Sequence, residues 1–70
     1  MGMTEKIKII LVKRNMTAMQ LAKNLGYSSQ NIYNKFKRNN FTEEEIARIA
    51  AALDCTFETA FIMNDTGERV

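Results

Sequence analysis

The sequence predicts a small, mainly α-helical domain of four helices followed by a short C-terminal tail. Its 70 residues include no proline and only three glycines, which favours helices over a turn-rich β fold. Helix-start signals recur along the chain, and the apolar residues between them repeat at helical spacing. The 46% of apolar residues suffice for one core, so we expect residues 1–70 to form a single domain.

The first helix is predicted over residues 4–14. Ile7 and Leu11 are spaced to lie on one face, and Arg14 continues the interval. Thr4 is a candidate cap for this helix.

The second helix is predicted over residues 18–25. Thr17 is placed as its cap, and Gln20 completes a capping box three residues later. Gly26 ends this helix, because glycine readily takes the left-handed conformation found after helices.

Two further helices are predicted from the same kind of capping residues. Ser28 caps a third helix over residues 29–38. Thr42 and Glu45 form a capping box for a fourth helix over residues 43–53.

The tail "CTFETAFIMNDTGERV" allows two interpretations. The spacing of residues 57, 60, 61 and 64 suits a short fifth helix, whereas Phe57, Thr59, Phe61 and Met63 alternate as in a strand. "NDTG" is a good turn, so a short β-hairpin is favoured and the helix stays open. Phe57, Phe61 and Met63 exceed what a four-helix core requires. They either cover the base of the bundle or make residues 56–70 a dimerisation element.

Composition excludes several classes of function. The chain has no histidine and a single cysteine, Cys55, which rules out an internal disulfide and argues against a metal site or a bound cofactor. Cys55 is expected to be a small buried hydrophobe. Carboxylates, lysines and tyrosines form no catalytic grouping, so no enzyme is expected. No apolar run is long enough for a membrane span, and a cytoplasmic location is expected.

Charge is divided unevenly along the chain. Residues 1–40 contain eight basic residues and one acid, Glu5, for a net charge of +7. Residues 41–70 contain two basic residues and seven acids, for a net charge of −5. This asymmetry favours a polyanionic partner for the first half, although much of the acidic cluster also complements the start of the fourth helix.

The second and third helices form a predicted helix-turn-helix over residues 17–38. Their connection is short and contains Gly26, and Ala22 supplies the small residue where the two helices cross. Ile32 and Phe36 lie on the inner face of the third helix. At about 100° per residue, Gln30, Asn34 and Lys37 fall on the opposite, outer face. Amide side chains on that face have the donors and acceptors needed to read bases in a major groove.

The segment "MTAMQLAKNLGYSSQNIYNKFKRN" resembles the DNA-binding motif of the Cro and lambda-repressor type, a group of small bacterial and phage regulators. The similarity is carried by Thr17, Leu21, Ala22, Leu25, Gly26, Tyr27, Ser28 and Ile32. "FTEEEIARIAAALDC" resembles the helix that follows the motif, so the similarity covers about residues 4–55. It implies a lambda-repressor-like bundle that binds double-stranded DNA and is active as a transcriptional regulator, in the simplest case a repressor.

The resemblance also implies roles for individual residues. The positions that contact bases are Ser29, Gln30, Tyr33 and Asn34. The positions that contact phosphates are Thr17, Gln20, Lys37, Arg38, Asn39 and Asn40. Two residues depart from the family pattern. Ala18 stands where glutamine is common, which puts one phosphate contact in doubt, and Lys35 stands where an apolar residue is common.

The predicted partners are therefore double-stranded DNA and a second copy of the chain, with no membrane and no small-molecule ligand. An alternative function is a protein-interaction module on the same scaffold, such as an antitoxin-like or anti-repressor partner. In that case the tail would be the working surface. The dependence of DNA binding on salt separates the two.

Overall fold

The computed structural model describes residues 2–70, so Met1, at the start of the predicted domain, lies outside the described residues. The four predicted helices are all present in the described part. They are α1 (Met3–Lys13), α2 (Ala18–Leu25), α3 (Ser29–Arg38) and α4 (Glu43–Ala52).

The predicted bounds of α2 and α3 are confirmed, because local caps define them. The Thr17 hydroxyl accepts from the Gln20 backbone N–H at 3.1 Å, and the Gln20 side chain accepts from the Thr17 N–H at 2.8 Å. Gly26 ends α2 with φ +76°, in the left-handed region. The Ser28 hydroxyl accepts from the Asn31 N–H at 3.1 Å and starts α3. The helix-turn-helix thus rests on hydrogen bonds between near neighbours.

The start of α1 differs from the prediction. This helix begins at Met3 with Gly2 as its N-cap, and Thr4 lies inside its first turn. Thr4 is buried, its hydroxyl donates to the Phe36 carbonyl at 2.9 Å, and its N–H donates to Asn39 Oδ1 at 2.9 Å. Thr4 is therefore not a cap, because its polar groups join α1 to the end of α3.

Helix α4 begins with the predicted capping box of Thr42 and Glu45 and ends at Ala52, one residue earlier than predicted. Arg14, which follows α1, caps the C-terminal end of α4. The Arg14 guanidinium donates to the Leu53 carbonyl at 3.0 Å and to the Asp54 carbonyl at 3.1 Å. These bonds satisfy carbonyls that a helix end would otherwise leave without partners.

The core lies where α2 packs against α3 and α4. Leu21 and Ile32 at its centre are completely buried. The full set of buried apolar residues is Ile7, Leu11, Leu21, Ala22, Leu25, Ile32, Phe36, Ile49 and Leu53. Ile46 and Ala50, which lie on the same side of α4 as Ile49, are only half-buried.

The observed conformation of residues 56–70 differs from the predicted hairpin or fifth helix. After α4, the described residues form neither a fifth helix nor a regular strand. One isolated antiparallel bridge pairs Ile62 with Arg69, and Phe61 and Val70 exchange two backbone hydrogen bonds of 2.9 Å beside it. An isolated two-stranded ribbon is marginal in water unless one face is covered. The Met63 N–H also donates to the Glu68 carbonyl at 2.9 Å, but the tail is exposed along residues 56–70 and its pairing extends no further than residues 61–63 and 68–70.

The molecule is elongated, with extents of 44 × 22 × 20 Å and a radius of gyration of 13.9 Å. A compact domain of this length has a radius of gyration of about 11 Å. The tail is exposed throughout residues 56–70 and contributes nothing to the buried core. Cys55, expected to be buried, is half-buried at the base of the tail. None of the helices in the described residues has the length and apolar character that a membrane span requires.

Candidate nucleic-acid interface

Helix α3 has one buried face and one polar face. Ile32 and Phe36 anchor it in the core. The four predicted base-contacting residues, by contrast, are all exposed: Ser29, Gln30, Tyr33 and Asn34. Across residues 2–70, their side chains form no hydrogen bond with the rest of the chain, so the donors and acceptors of Gln30 and Asn34 remain available to a ligand.

Thr17 and Gln20, predicted to contact phosphate, are engaged as a capping box. In that box each side-chain oxygen accepts a hydrogen bond from a backbone N–H. The hydroxyl hydrogen of Thr17 and the amide nitrogen of Gln20 are still able to donate. Because phosphate oxygens only accept, capping and a phosphate contact are chemically compatible at both residues.

The segment after α3 holds the other predicted phosphate-contacting residues. Lys37, Arg38 and Asn40 are exposed. Asn39 also has a structural role that sequence reasoning missed. It ends α3 with φ +52°, and its Oδ1 accepts from the Thr4 N–H. Asparagine tolerates the left-handed conformation, which is the signal that identifies such a cap. The Asn39 amide nitrogen keeps its donors.

Lys35, the other departure from the family pattern, braces α3 against α4. It pairs with Glu45 Oε2 and lies 5.7 Å from the centre of the Tyr27 ring. Arg48 lies 5.4 Å from the same ring and donates to the Leu25 carbonyl at 2.9 Å. Two cations thereby contact the turn between α2 and α3.

This brace perturbs one titratable group. The Lys35 ammonium, and after it the Thr42 backbone N–H, hold the pKa of Glu45 below its ordinary value, against the opposing effect of desolvation. The carboxylate is favoured in the folded state for that reason.

Hydrogen bonds and ion pairs divide the basic residues of the first half into engaged and unengaged ones. Arg14 and Lys35 are held within the chain, which was not evident from composition. Within the described structure, the other six basic residues of the first half form no ion pair and no side-chain hydrogen bond. They are Lys6, Lys8, Lys13, Lys23, Lys37 and Arg38. The positive surface is therefore smaller than the sequence count suggests, and it includes Lys37 and Arg38 at the end of α3.

Together the fold and this polar, acid-free helix face define a helix-turn-helix DNA-binding domain. A family model, that of the Cro/C1-type HTH DNA-binding domain, matches residues 6–66, so the chain belongs to this family. The predicted resemblance is thus confirmed. The family is typically non-enzymatic. No curated protein and no solved structure gave a significant match.

Proposed function

We propose that this chain is a sequence-specific regulator of transcription that reads double-stranded DNA with α3 in the major groove. The observation that carries the proposal is the outer face of α3. Gln30 and Asn34 present unengaged amides there, and Lys37 and Arg38 follow them in a stretch, residues 6–42, that contains no acid. A polar stripe of this kind can hydrogen-bond to base edges, and cations at its end can contact the flanking phosphates.

The proposed mechanism is binding without chemistry. Ser29, Gln30, Tyr33 and Asn34 contact bases. Thr17, Gln20 and the segment 37–40 contact phosphates and fix the register of α3. Occupation of the site by the protein then blocks competing proteins, so repression is the simplest outcome. The cytoplasm is the proposed location, since that is where a bacterial or phage operator is found.

We further propose that residues 1–70 function as one unit whose tail joins two copies. Ile62 and Arg69 form a non-hydrogen-bonded pair, so the Ile62 backbone N–H and carbonyl point away from the bridge. Phe57, Phe61 and Met63 leave apolar surface exposed beside this edge. A second copy that pairs along Ile62 would satisfy the edge and cover these side chains. Such a dimer matches two half-sites about 34 Å apart.

The deciding experiment selects the preferred duplex from a random pool and then measures its affinity across a salt series. The selected site should be a two-fold repeat. The slope of log affinity against log salt should steepen by about 0.9 for each phosphate neutralised. Binding without salt dependence, or a pool with no enriched sequence, would contradict the proposal.

The exposed apolar tail supports one alternative, a protein-interaction module of the antitoxin-like or anti-repressor kind. In that case the tail binds a different protein and the basic face is incidental. The same salt series separates the two functions, because an incidental basic face neutralises no defined set of phosphates.

A further inference from the structure

A cleft lies between helices α1, α2 and α3. It is about 260 Å³ in volume and is lined by Lys8, Leu11, Ala18, Tyr33, Phe36 and Lys37. Leu11 and Phe36 belong to the buried core and form its apolar floor. The cleft therefore joins α1 and the start of α2 to the face of α3 that carries the proposed base readers.

The charges around this cleft are all of one sign. Lys8 comes from α1 and Lys37 from α3, and both are exposed. Within residues 2–70, neither forms an ion pair, and the six lining residues include no acid. An anion bound between these two unpaired ammonium groups would interact favourably with both.

The position of the cleft beside α3 indicates which anion it would bind. Tyr33 lines the cleft and is 52% exposed, and its neighbour Asn34 lies on the reading face. A strand that borders a groove occupied by α3 would pass this wall. Ala18 leaves the cleft open, because its methyl group is too short to cross it.

We propose that Lys8 and Lys37 together bind one phosphodiester of the DNA backbone, which lies in the cleft above Ala18. This site brings α1 into the interface, and it replaces with two lysines the contact that a longer side chain at position 18 would make. The proposal rests on the proposed function and adds a specific phosphate to it. Sequence reasoning missed Lys8 because the cleft depends on how three helices pack.

The test compares Lys8→Ala with Lys6→Ala in the full chain. Lys6 is two positions away on α1, so it lies about 160° around the helix from Lys8. Both changes remove one exposed charge from the same element. Lys8→Ala should lower the salt-dependence slope on the selected duplex by up to about 0.9, because Lys37 still borders the same phosphate, whereas Lys6→Ala should leave it nearly unchanged. Equal effects from the two variants would overturn the proposal.

Two further variants test whether the lysines share a phosphate. The double variant Lys8→Ala/Lys37→Ala should lower the slope by no more than one phosphate, and additive losses would overturn the shared site. Ala18→Leu fills the cleft without a change of charge and should weaken binding as Lys8→Ala does. Unchanged binding by a folded Ala18→Leu variant would also overturn it.

The result is distinguishable from a failure of the proposed function. If the unmodified protein shows no salt-dependent binding to duplex DNA, the proposed function fails. If it binds with salt dependence and the Lys8→Ala and Lys6→Ala variants behave alike, this inference alone fails. Circular dichroism of each variant confirms that the helices remain.

Discussion

The direction in which a side chain of α3 points determines its role. Ile32 and Phe36 hold the helix in the core, whereas Gln30 and Asn34 face outward with their amides unengaged. A side chain that contributes nothing to packing can be replaced at little cost to stability. Its effect on DNA recognition can therefore be measured separately from its effect on folding.

Gln30→Ala and Asn34→Ala are each expected to weaken binding to the selected duplex by about 1–3 kcal/mol and to change binding to random DNA little. The reason is that an amide that pairs with a base edge discriminates between bases. Lys37→Ala is the matched comparison and should weaken binding to both DNAs alike, because phosphates carry no sequence information. Competition titrations with the two duplexes measure this. A Gln30→Ala variant with equal losses on both would not be a base reader.

Glu45→Gln isolates the charge of the brace between α3 and α4, because glutamine can still accept from the Thr42 N–H. The pKa of Glu45 is lowered in the folded state from its ordinary value of 4.5, so the carboxylate contributes stability above that unfolded pKa. That contribution is lost as the pH falls through the lower, folded pKa. We expect Glu45→Gln to be less stable than the unmodified protein at pH 7 and the difference to vanish in acid.

Urea denaturation at several pH values measures this difference. Glu44→Gln is the control, since Glu44 lies in the same first turn and is exposed. It shares the interaction with the helix dipole but has no ion pair in the described structure. Equal pH dependence in the two variants would mean that the Lys35 pair contributes nothing.

At the scale of elements, α1 is tied to the reading helix by a contact distant in sequence. Thr4 bonds to Phe36 and Asn39, which are 32 and 35 residues away. The end of α3 is thus held by α1 as well as by its own cap. This tie places the segment that follows α3 in a defined position.

Thr4→Val keeps the shape of the side chain but removes its hydroxyl. The loss of the buried hydrogen bond to the Phe36 carbonyl should lower the free energy of unfolding by about 1 kcal/mol. Thr56→Val, at an exposed threonine, should change it by less than about 0.5 kcal/mol. Chemical denaturation of both variants provides the measurement. Stability equal to that of the unmodified protein would show that the Thr4 bond has no net value.

The difference between local contacts and contacts distant in sequence explains how much of the structure could be predicted. The bounds of α2 and α3 follow from Thr17, Gly26 and Ser28, whose partners are a few residues away, so the sequence displays them directly. The role of Thr4 depends on α3, and the cleft beside Lys8 depends on three helices, so neither has a local signal. The tail stayed ambiguous because it buries too little surface to select one structure. The outer face of α3 was predictable, since it needs only the helical period.

At the scale of the whole molecule, the helical body and the tail differ in charge as well as in shape. The unpaired cations are in the first half, whereas the tail contains Glu58, Asp65 and Glu68. An acidic tail is repelled by DNA, which favours its use at a surface turned away from the duplex. The proposed pairing of two tails is consistent with this separation.

Phe61→Asp tests that pairing. Phe61 is 83% exposed, so the change should leave the helical body folded. It should convert a dimer to a monomer in sedimentation experiments and weaken binding to a duplex with two half-sites far more than to one half-site. The comparison is Phe61→Leu, which keeps apolar surface and should remain dimeric. A Phe61→Asp protein that is still dimeric would exclude this part of the tail from the interface.

The unengaged outer stripe of α3 has a consequence for how such a protein can diverge. The side chains of Gln30, Tyr33 and Asn34 form no hydrogen bond or ion pair in the described chain, so a lineage could exchange them one at a time at little cost in folding stability. The scaffold would persist while its preferred operator drifted. For the same reason, a protein engineer could redirect this domain to a new site by randomising those few positions alone, with the caps, the turn and the two cleft lysines left untouched.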